Sequence, residues 1–437
     1  MSVTVISQSD HSLTLQVTFS LEGSMLNVEE SIQETLNAVG LIATEQKLRS
    51  FDTDGSPLFF GATKLTSKGQ FTQDYETPYG SVGVERHIYQ SNQGGQTYCP
   101  LEDRARLVLN ATPKYAKMVS FKYAELGAQK VVEDLLECNH RNISIRYVKM
   151  LGDSVGMMAQ AKEEVWEYTL PTFEDKVASV GVGIDGAYML MKDDGWREAM
   201  AGSISLYNFA GERLHTICVG ATPEYGKEKF RERFLRELDR VKSVCGDIPY
   251  VGLCDGAKDN WTFLTQHTDE QILDFFHASE YVSDVALVLF KGKGRESERK
   301  SWLQDRLHIL KHEQGGSETL RQEMEGYLKD ASRKPRLTAD DLATIRALIT
   351  YFTNQKGRME YWRYRESGYP IGSGVTEATC KTLIKARFCG SGARWKDRGA
   401  SFVLSIRSLR LTSQRWQQFW KKIDSQGGPK IEKSAII

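Results

Sequence analysis

The amino-acid sequence predicts an α/β protein built around a mixed β-sheet that is flanked by helices. Three consecutive β-rich runs, an amphipathic helix and a further strand follow one another between residues 176 and 290. Residues 291–365 then have a helical and highly charged pattern. With 437 residues, of which 40% are hydrophobic and 26% charged, the chain is long enough for two or three domains with buried cores.

Residues 1–117 are predicted to form a mixed α+β region. HSLTLQVTFSLEG alternates apolar and polar residues as a half-buried strand does, whereas VEESIQETLNAVGLIATEQKLRSF repeats apolar residues at helical spacing. TPYGSVGVERHIYQ alternates again, with Val82, Val84 and Ile88 separated by polar residues, and is typical of strands that pair around glycine-containing turns.

Residues 118–165 are predicted to contain two short helices about the polar break CNHRN, an arrangement that resembles a helix-turn-helix. Ser144 is a suitable N-cap for the second helix. Apolar residues at helical spacing are expected on the buried faces, namely Val131, Val132, Leu135, Leu136, Ile145, Val148, Leu151 and Val155. Arg146, Tyr147 and Lys149 are expected to face outward. An ordinary helical hairpin would have the same pattern.

The central strands are predicted in VASVGVGIDGAYMLM, EAMAGSISLYNF and RLHTICVGA, followed by the helix KEKFRERFLRELDRVKSV and the strand IPYVGLCD. Three strands, a helix and a strand that ends in an acid are the order of an RNase H-like core. A Rossmann domain is the rival, but no GxGxxG opens a helix after the first strand. Residues 176–290 are thus predicted to be the first part of an RNase H-like core, and 291–368 a helical insertion with KGKGRESERK and DASRKPRL as loops. Residues 369–437 complete the core and add a basic region.

Three acidic residues lie at positions suited to a shared site. Asp185 lies within the first predicted strand, GVGIDGAYML, where an ionised side chain is costly unless a cation compensates it. Asp255 ends the strand YVGLCDG, and Glu377 opens a helix after Gly-Ser-Gly. If the strands of Asp185 and Asp255 are neighbours, their carboxylates meet at one edge of the sheet, and the helix N-terminus supplies Glu377.

Clustered carboxylates repel one another unless cations bind, and hard oxygen ligands suit Mg²⁺ or Mn²⁺. Two such ions would clamp the attacking and leaving oxygens of an in-line phosphoryl displacement. Lys381 and Lys385, four and eight residues after Glu377, would approach a nucleic-acid backbone from one helix face. Simpler interpretations exist: Glu377 could favour the helix dipole or pair with Lys381, and the two aspartates could be turn residues.

The chain has no net charge, with 57 basic and 57 acidic residues, but the charge is unevenly distributed. From Ala378 to Lys422 there are eleven Lys or Arg residues and one acid, Asp397, which is typical of a solvated face or of a phosphate-binding surface. The seven cysteines lack CxxC spacing, which predicts reduced thiols in the cytoplasm. Neither a signal-peptide pattern nor an apolar run of about 18 residues is present, so no membrane partner is expected.

The segments GIDG, CDGAKDNW and YPIGSGVTEATCKTLIKARFCGSGARW resemble the DDE transposases of bacterial insertion sequences, most closely the ISKra family. The resemblance runs from about residue 78 to residue 411. DFFHASEYV is similar to the family's Asp-aromatic-His-Ala block, which contains His277. The resemblance implies that Asp185, Asp255 and Glu377 are the metal-binding triad. Asp259 is a nearby competitor for Asp255, but Asp255 better fits a strand end.

The resemblance implies a transposase that binds the terminal inverted repeats of its element and cuts and joins double-stranded DNA with two Mg²⁺ or Mn²⁺ ions. It implies a nucleoid-associated protein of the bacterial cytoplasm that acts on target DNA as a homodimer or larger assembly, because two element ends must be held together. The residues expected to contact DNA are Arg146, Lys149, Lys381, Lys385, Arg387 and Arg394. His277 is an accessory candidate.

Two other functions are compatible with the same residues. One is an RNase H-like nuclease that hydrolyses DNA without strand transfer, because a triad of acids alone does not specify joining. The other is a transposase-derived DNA-binding protein that no longer catalyses, although the presence of all three acids argues against it. Trp261 and Trp395 are expected to be packing residues.

Overall fold

The structure, a computed structural model, describes residues 2–9, 11–330 and 337–428. Its strands are β1 (Ser2–Gln8), β2 (Leu13–Thr18), β3 (Leu58–Phe60), β4 (Thr63–Thr77), β5 (Gly80–Ser91), β6 (Ser179–Met191), β7 (Gly195–Tyr207), β8 (Arg213–Ala221), β9 (Tyr250–Cys254) and β10 (Glu270–Leu273).

Its helices are α1 (Met25–Arg49), α2 (Pro100–Arg104), α3 (Pro113–Glu125), α4 (Ala128–Asn139), α5 (Ile145–Lys162), α6 (Gly226–Cys245), α7 (Lys258–His267), α8 (Phe275–Leu289), α9 (Glu296–His312), α10 (Gly316–Lys329), α11 (Ala339–Asn354), α12 (Tyr361–Glu366), α13 (Gly374–Thr379), α14 (Ala386–Phe388), α15 (Asp397–Leu411) and α16 (Arg415–Gln426). A 3₁₀ turn covers Pro223–Tyr225, and a π-helical segment covers Cys380–Lys385.

The chain divides into two compact units. The N-terminal unit contains the described residues up to Thr169, together with Arg398–Arg410 and the described residues from Gln414 onward. The sheet unit contains Leu170–Asp397 and Leu411–Ser413. The C-terminal region predicted as residues 369–437 therefore contributes to both units. In the part of the chain that the structure describes, no helix combines the length and apolarity needed to cross a bilayer.

The first half of the N-terminal unit has the predicted mixture of strands and a long helix. β4 and β5 form an antiparallel hairpin that pairs Thr77 with Gly80 and continues to β3. Val82 and Val84 are buried because alternate residues of β5 face α1 and α2, as the alternation predicts. β1 and β2 form a separate two-stranded sheet.

The helices of residues 118–165 are present, preceded by α3. Ser144 caps α5 by accepting a hydrogen bond from the backbone of Tyr147, as predicted. Leu136 and Ile145 were expected to be buried but are 51% and 41% exposed. The buried face of each helix, α4 and α5, includes fewer residues than the apolar pattern of the sequence suggests. Tyr147 was expected to face outward, but its hydroxyl donates a hydrogen bond to Asn110 at 2.9 Å, and burial raises its pKa.

The basic C-terminal segment is not one solvated face. Arg407 is 1% exposed and, with Arg410, pairs with Glu125 of α3, while Arg415 lies over the ring of Tyr168. Since a buried guanidinium needs a compensating anion and hydrogen bonds, Arg407 depends on Glu125, and removing that carboxylate would destabilise the N-terminal unit. These arginines do not belong to a surface that is free to bind phosphate.

The sheet unit contains a five-stranded mixed sheet in the order β10-β9-β6-β7-β8. β6 runs parallel to β9, and β9 runs parallel to β10, whereas β7 is antiparallel to both β6 and β8. The four predicted strands and the helix between them, α6, are confirmed. β10 was not predicted, because its four residues are too short for a periodic pattern.

Helices cover both faces of this sheet. α6 and α7 pack on one face, where Phe234 lies over Gly202 and Leu264 lies over Gly252. α13 packs on the opposite face, over Gly183. The sheet is therefore buried between helices, as expected for strands with near-continuous apolar runs.

The predicted helical character of residues 291–368 is confirmed for the described residues, but one of the predicted loops is shorter than expected. α9 begins at Glu296, so the second half of KGKGRESERK is helical, and Glu296 and Glu298 lie in its first turn, where the helix dipole favours acids. Most of the second predicted loop, DASRKPRL, lies in residues 331–336, outside the described residues. α11 then begins at a capping box formed by Thr338 and Asp341.

Two glycines allow a matched test of the packing. A Cβ atom on Gly156 of α5 would lie 2.7 Å from the carbonyl oxygen of Phe402 in α15, whereas a Cβ on Gly326 of α10 would meet nothing within 4 Å. We expect Gly156→Ala to lower the free energy of unfolding by about 1–3 kcal/mol through overpacking. Gly326→Ala should raise it by about 0.4–1 kcal/mol. Thermal and denaturant unfolding of both variants measure this difference, and equal behaviour would contradict the α5–α15 contact.

Candidate active site

Asp185 and Asp255 lie at the same level of two neighbouring parallel strands. The last residue pair between β6 and β9 is Gly183 with Leu253, and each aspartate follows two residues later. The sequence-based condition that the two strands be neighbours is therefore met. Because side chains alternate along a strand, Asp185 lies on the same face as Gly183, which is the face covered by α13.

A close contact holds α13 on this face. A Cβ atom on Gly183 would lie 2.0 Å from the hydroxyl oxygen of Thr376, so only glycine admits the helix at this distance. The Thr376 hydroxyl is in turn hydrogen-bonded to Ser203 of β7 at 2.8 Å. Glu377 is the next residue of α13 and lies in its first turn, as predicted.

Cys380 connects the helix to Asp185. Burial raises the pKa of the Cys380 thiol, and the Asp185 carboxylate, which accepts a hydrogen bond from it, raises the pKa further. The Lys385 cation partly offsets this rise, and the Glu377 carboxylate adds to it. These four side chains therefore share one electrostatic environment. The thiol stays neutral and donates to Asp185, whose Oδ1 also accepts the Gly186 N–H at 2.7 Å.

The turn that carries Asp255 is fixed from both sides. Its Oδ1 accepts hydrogen bonds from the Ala257 N–H at 3.1 Å and from the Cys254 thiol at 3.2 Å. Its backbone carbonyl accepts one from the Tyr351 hydroxyl at 2.7 Å. Asn260 of α7 donates to the carbonyl of Ile184, beside Asp185, at 3.2 Å.

Sequence reasoning missed a fourth acid, Asp274, which directly follows β10. The last pair between β10 and β9 is Leu273 with Cys254, so Asp274 lies level with Asp255. Asp274 is 1% exposed and accepts hydrogen bonds from the backbone of Phe276 and from the hydroxyl of Ser373. An Asp immediately before an apolar helix is an N-cap signal, and that signal alone could have identified it.

The helix after Glu377 differs from the regular helix that was predicted. It changes to a π-helix over Cys380–Lys385, so Lys385 does not follow Glu377 at α-helical phase, whereas Lys381 stays on the same face as Glu377. The Lys381 ammonium lies 3.8 Å from Glu377 Oε2. The ion pair that the simpler interpretation expected between Glu377 and Lys381 is therefore present. The Glu377 carboxylate is also near enough to Cys380 to influence the pKa of its thiol.

The other basic residues expected to contact DNA occupy different environments. In the sheet unit, Lys381, Lys385 and Arg394 are exposed, whereas the guanidinium of Arg387 lies over the ring of Trp395, 4.8 Å from its centre. Arg387 is thus partly engaged in packing. In the N-terminal unit, Arg146 and Lys149 are exposed on α5, as predicted.

His277 and the two tryptophans have structural contacts. The ring of His277 lies edge-on to Tyr281 and Tyr351, and its Nδ1 is 3.2 Å from Glu280. His277 thereby belongs to the aromatic cluster that holds the Asp255 turn. Trp261 is 5% exposed, and Trp395 packs on Phe388, so both are packing residues as expected.

The oxygen donors of this region fit a hard divalent cation. Both hydrogen bonds that the Asp255 carboxyl accepts within the described residues are to Oδ1, which leaves Oδ2 for a ligand. The described residues contain no group of three His, Cys, Asp or Glu side chains already arranged around one metal position. Joint metal binding by Asp185, Asp255 and Glu377 stays a prediction, as does the preference for Asp255 over Asp259, which lies in the first turn of α7.

Comparison with known proteins adds no family assignment. No protein-family model matches the chain, and no curated protein matches it.

The contacts of the cysteines give a test of the site geometry. The seven cysteines all lie within the described residues and form no disulfide. Burial and the neighbouring Asp255 raise the pKa of Cys254 to about 12, so only about one thiol in 10,000 is ionised at pH 8. We expect iodoacetamide at pH 8 to alkylate exposed Cys138 but to reach Cys254 and Cys380 only after unfolding.

Peptide mass spectrometry of native and urea-unfolded protein measures this difference. The labelling rate of Cys254 should rise with pH, since its thiolate form becomes populated only as the pH approaches its pKa. Native labelling of Cys380 as fast as that of Cys138 would show that α13 does not pack on the sheet as described.

Proposed function

We propose that the protein is a DDE-type DNA transposase, which binds the inverted repeats of its element and catalyses metal-dependent strand cleavage and strand transfer. One observation carries the proposal. Asp185 and Asp255 lie level on adjacent parallel strands, and Glu377 lies in the first turn of the helix that packs on the same face over Gly183. The strand order, with β7 antiparallel and β9 and β10 parallel to β6, further supports an RNase H-like core.

Asp185, Asp255 and Glu377 would hold two Mg²⁺ or Mn²⁺ ions, which activate the attacking oxygen and neutralise charge on the leaving oxygen in such sites. The protein's own contribution is orientation. The Gly186 N–H and the Cys380 thiol fix Asp185, and the Ala257 N–H fixes Asp255. Preorganised carboxylates need no rearrangement during the reaction, which lowers its barrier.

The reaction would proceed in two displacements at phosphorus. In the first, a water oxygen attacks the phosphate at the element end, the P–O3′ bond breaks, and the strand is released with a 3′-hydroxyl. In the second, that hydroxyl attacks a phosphate of target DNA, a new P–O3′ bond forms, and the target's own 3′ oxygen leaves with a proton. Exposed Lys381, Lys385 and Arg394 would contact phosphates of the bound strands.

Glu377→Gln separates catalysis from DNA binding. The amide keeps the shape of the side chain but removes the negative charge that a metal ligand needs. We expect cleavage and strand transfer with Mg²⁺ to fall by about 100-fold or more, because each ligand of the metal clamp stabilises the transition-state charge. DNA affinity in EDTA should hold or rise slightly, since repulsion from phosphate decreases.

Glu366→Gln is the matched control, because Glu366 is an exposed acid of α12 outside the site. Radiolabelled element-end duplexes report cleavage and joining in the same reaction. Near-normal strand transfer by the Glu377→Gln variant would reject Glu377 as a ligand. A wild-type protein that hydrolyses ends but never joins a precut 3′-hydroxyl end to target DNA would instead support the nuclease alternative.

Arg146 and Lys149 allow a separate test of end recognition. Deleting residues 1–165 would strip α15 of its packing partners in the N-terminal unit, so point substitutions are the cleaner experiment. We expect Arg146→Gln with Lys149→Gln to reduce the preference for the end sequence over a scrambled duplex by about tenfold or more, since a base contact is worth about 1–3 kcal/mol.

Exposed Lys293, in the sheet unit, provides the control substitution Lys293→Gln. Gel-shift titrations at several salt concentrations measure both variants. If Arg146 and Lys149 bind only phosphate, the salt slope should fall by about 1 per contact with the preference unchanged. If neither the preference nor the slope changes, α5 does not contact DNA.

A further inference from the structure

We propose that Asp274 and Ser373 form a positioning pair that fixes the carboxylate of Glu377 for metal binding. This inference rests on the proposed function of the site. It adds to the site two residues that are not members of the metal-binding triad. The pair is defined by a chain of contacts from Asp274 through the Ser373 hydroxyl to Glu377 Oε1.

Asp274 is placed to act as an anchor for Ser373. It is 1% exposed, its Oδ1 accepts the Phe276 N–H at 2.7 Å, and its Oδ2 accepts the Ser373 hydroxyl. Both carboxylate oxygens are therefore engaged inside the protein, whereas Asp255 keeps Oδ2 for a ligand. Asp274 is level with the two strand aspartates but is suited to holding a neighbour, not an ion.

Ser373 is held in place independently of Glu377. The loop before α13 is tied to the start of α8, because the Phe275 N–H donates to the carbonyl of Ile371 at 2.9 Å. A Cβ atom on Gly372 would lie 3.0 Å from the ring of Phe276, so the loop passes this ring closely. Ser373 itself is 6% exposed. The Gly-Ser-Gly sequence thus places one hydroxyl at a defined position beside Glu377.

The Ser373 hydroxyl decides how the Glu377 side chain is oriented. Its single proton is shared between Asp274 Oδ2, the nearer acceptor, and Glu377 Oε1 at 3.3 Å, while Lys381 lies 3.8 Å from Oε2 on the exposed side. The Glu377 side chain is 48% exposed, so little else limits its rotamers. Without Ser373, we expect the carboxylate to turn toward Lys381 and solvent, and ordering it on a metal would then cost rotamer entropy.

The test measures Mn²⁺ binding by electron paramagnetic resonance, together with strand transfer. Ser373→Ala should weaken Mn²⁺ binding about tenfold or more, as loss of an outer-shell partner typically does. Asp274→Ala should do the same, because it removes the carboxylate that anchors the Ser373 hydroxyl. The double variant should be no weaker than the single variants, because both act through one hydroxyl. The Km for DNA should be unchanged.

Ser279→Ala is the matched control, because Ser279 lies on α8 and its hydroxyl donates to the carbonyl of Phe275 within the same helix. It should leave Mn²⁺ binding unchanged and alter stability little, because Ala is a better helix former than Ser. Mn²⁺ binding by the Ser373→Ala variant equal to that of the wild type would overturn the positioning role and leave the proposed function intact. Wild-type protein that shows no Mn²⁺ binding dependent on Asp185 would overturn both.

Discussion

The close approach of α13 to β6 at Gly183 is the constraint on which the candidate site depends. A side chain at position 183 would occupy the place of the Thr376 hydroxyl, so the helix could not reach the sheet. Once Thr376 is bonded to Ser203, the following turn brings Cys380 to Asp185 and leaves Glu377 beside it. Packing between a glycine and a threonine therefore determines where the third acid lies.

The parallel strands supply the other half of the geometry. β6, β9 and β10 have matched registers, and an aspartate follows the paired part of each strand at the same level. The three aspartates have different environments: Asp185 meets a buried thiol, Asp255 lies in a turn, and Asp274 is enclosed and bonded to Ser373. Equivalent positions on three parallel strands thus carry two aspartates suited to binding a ligand, Asp185 and Asp255, and one suited to a structural role, Asp274.

The sequence was sufficient to predict those strands and helices that have a clear hydrophobic periodicity of their own. β6 to β9, α1 and α6 have clear periodicity, and Asp185, Asp255 and Glu377 were identified from their places within it. β10 and Asp274 were missed because four residues carry no period. The pairing of Arg407 and Arg410 with Glu125 was also missed, since Glu125 lies more than 280 positions earlier in the chain. The π-helical segment and the inward position of Tyr147 likewise depend on tertiary contacts that no local pattern records.

The central claim is that Asp185, Asp255 and Glu377 share bound metal ions. Fe²⁺ can replace Mg²⁺ at such a site. With ascorbate and peroxide, the bound Fe²⁺ then cuts the polypeptide nearby, and mass spectrometry of the fragments locates the cuts. We expect cuts close to all three residues, suppressed by excess Mg²⁺ and lost in Asp185→Asn. Cuts near only one of the three acids, or cuts that Mg²⁺ does not suppress, would contradict the claim.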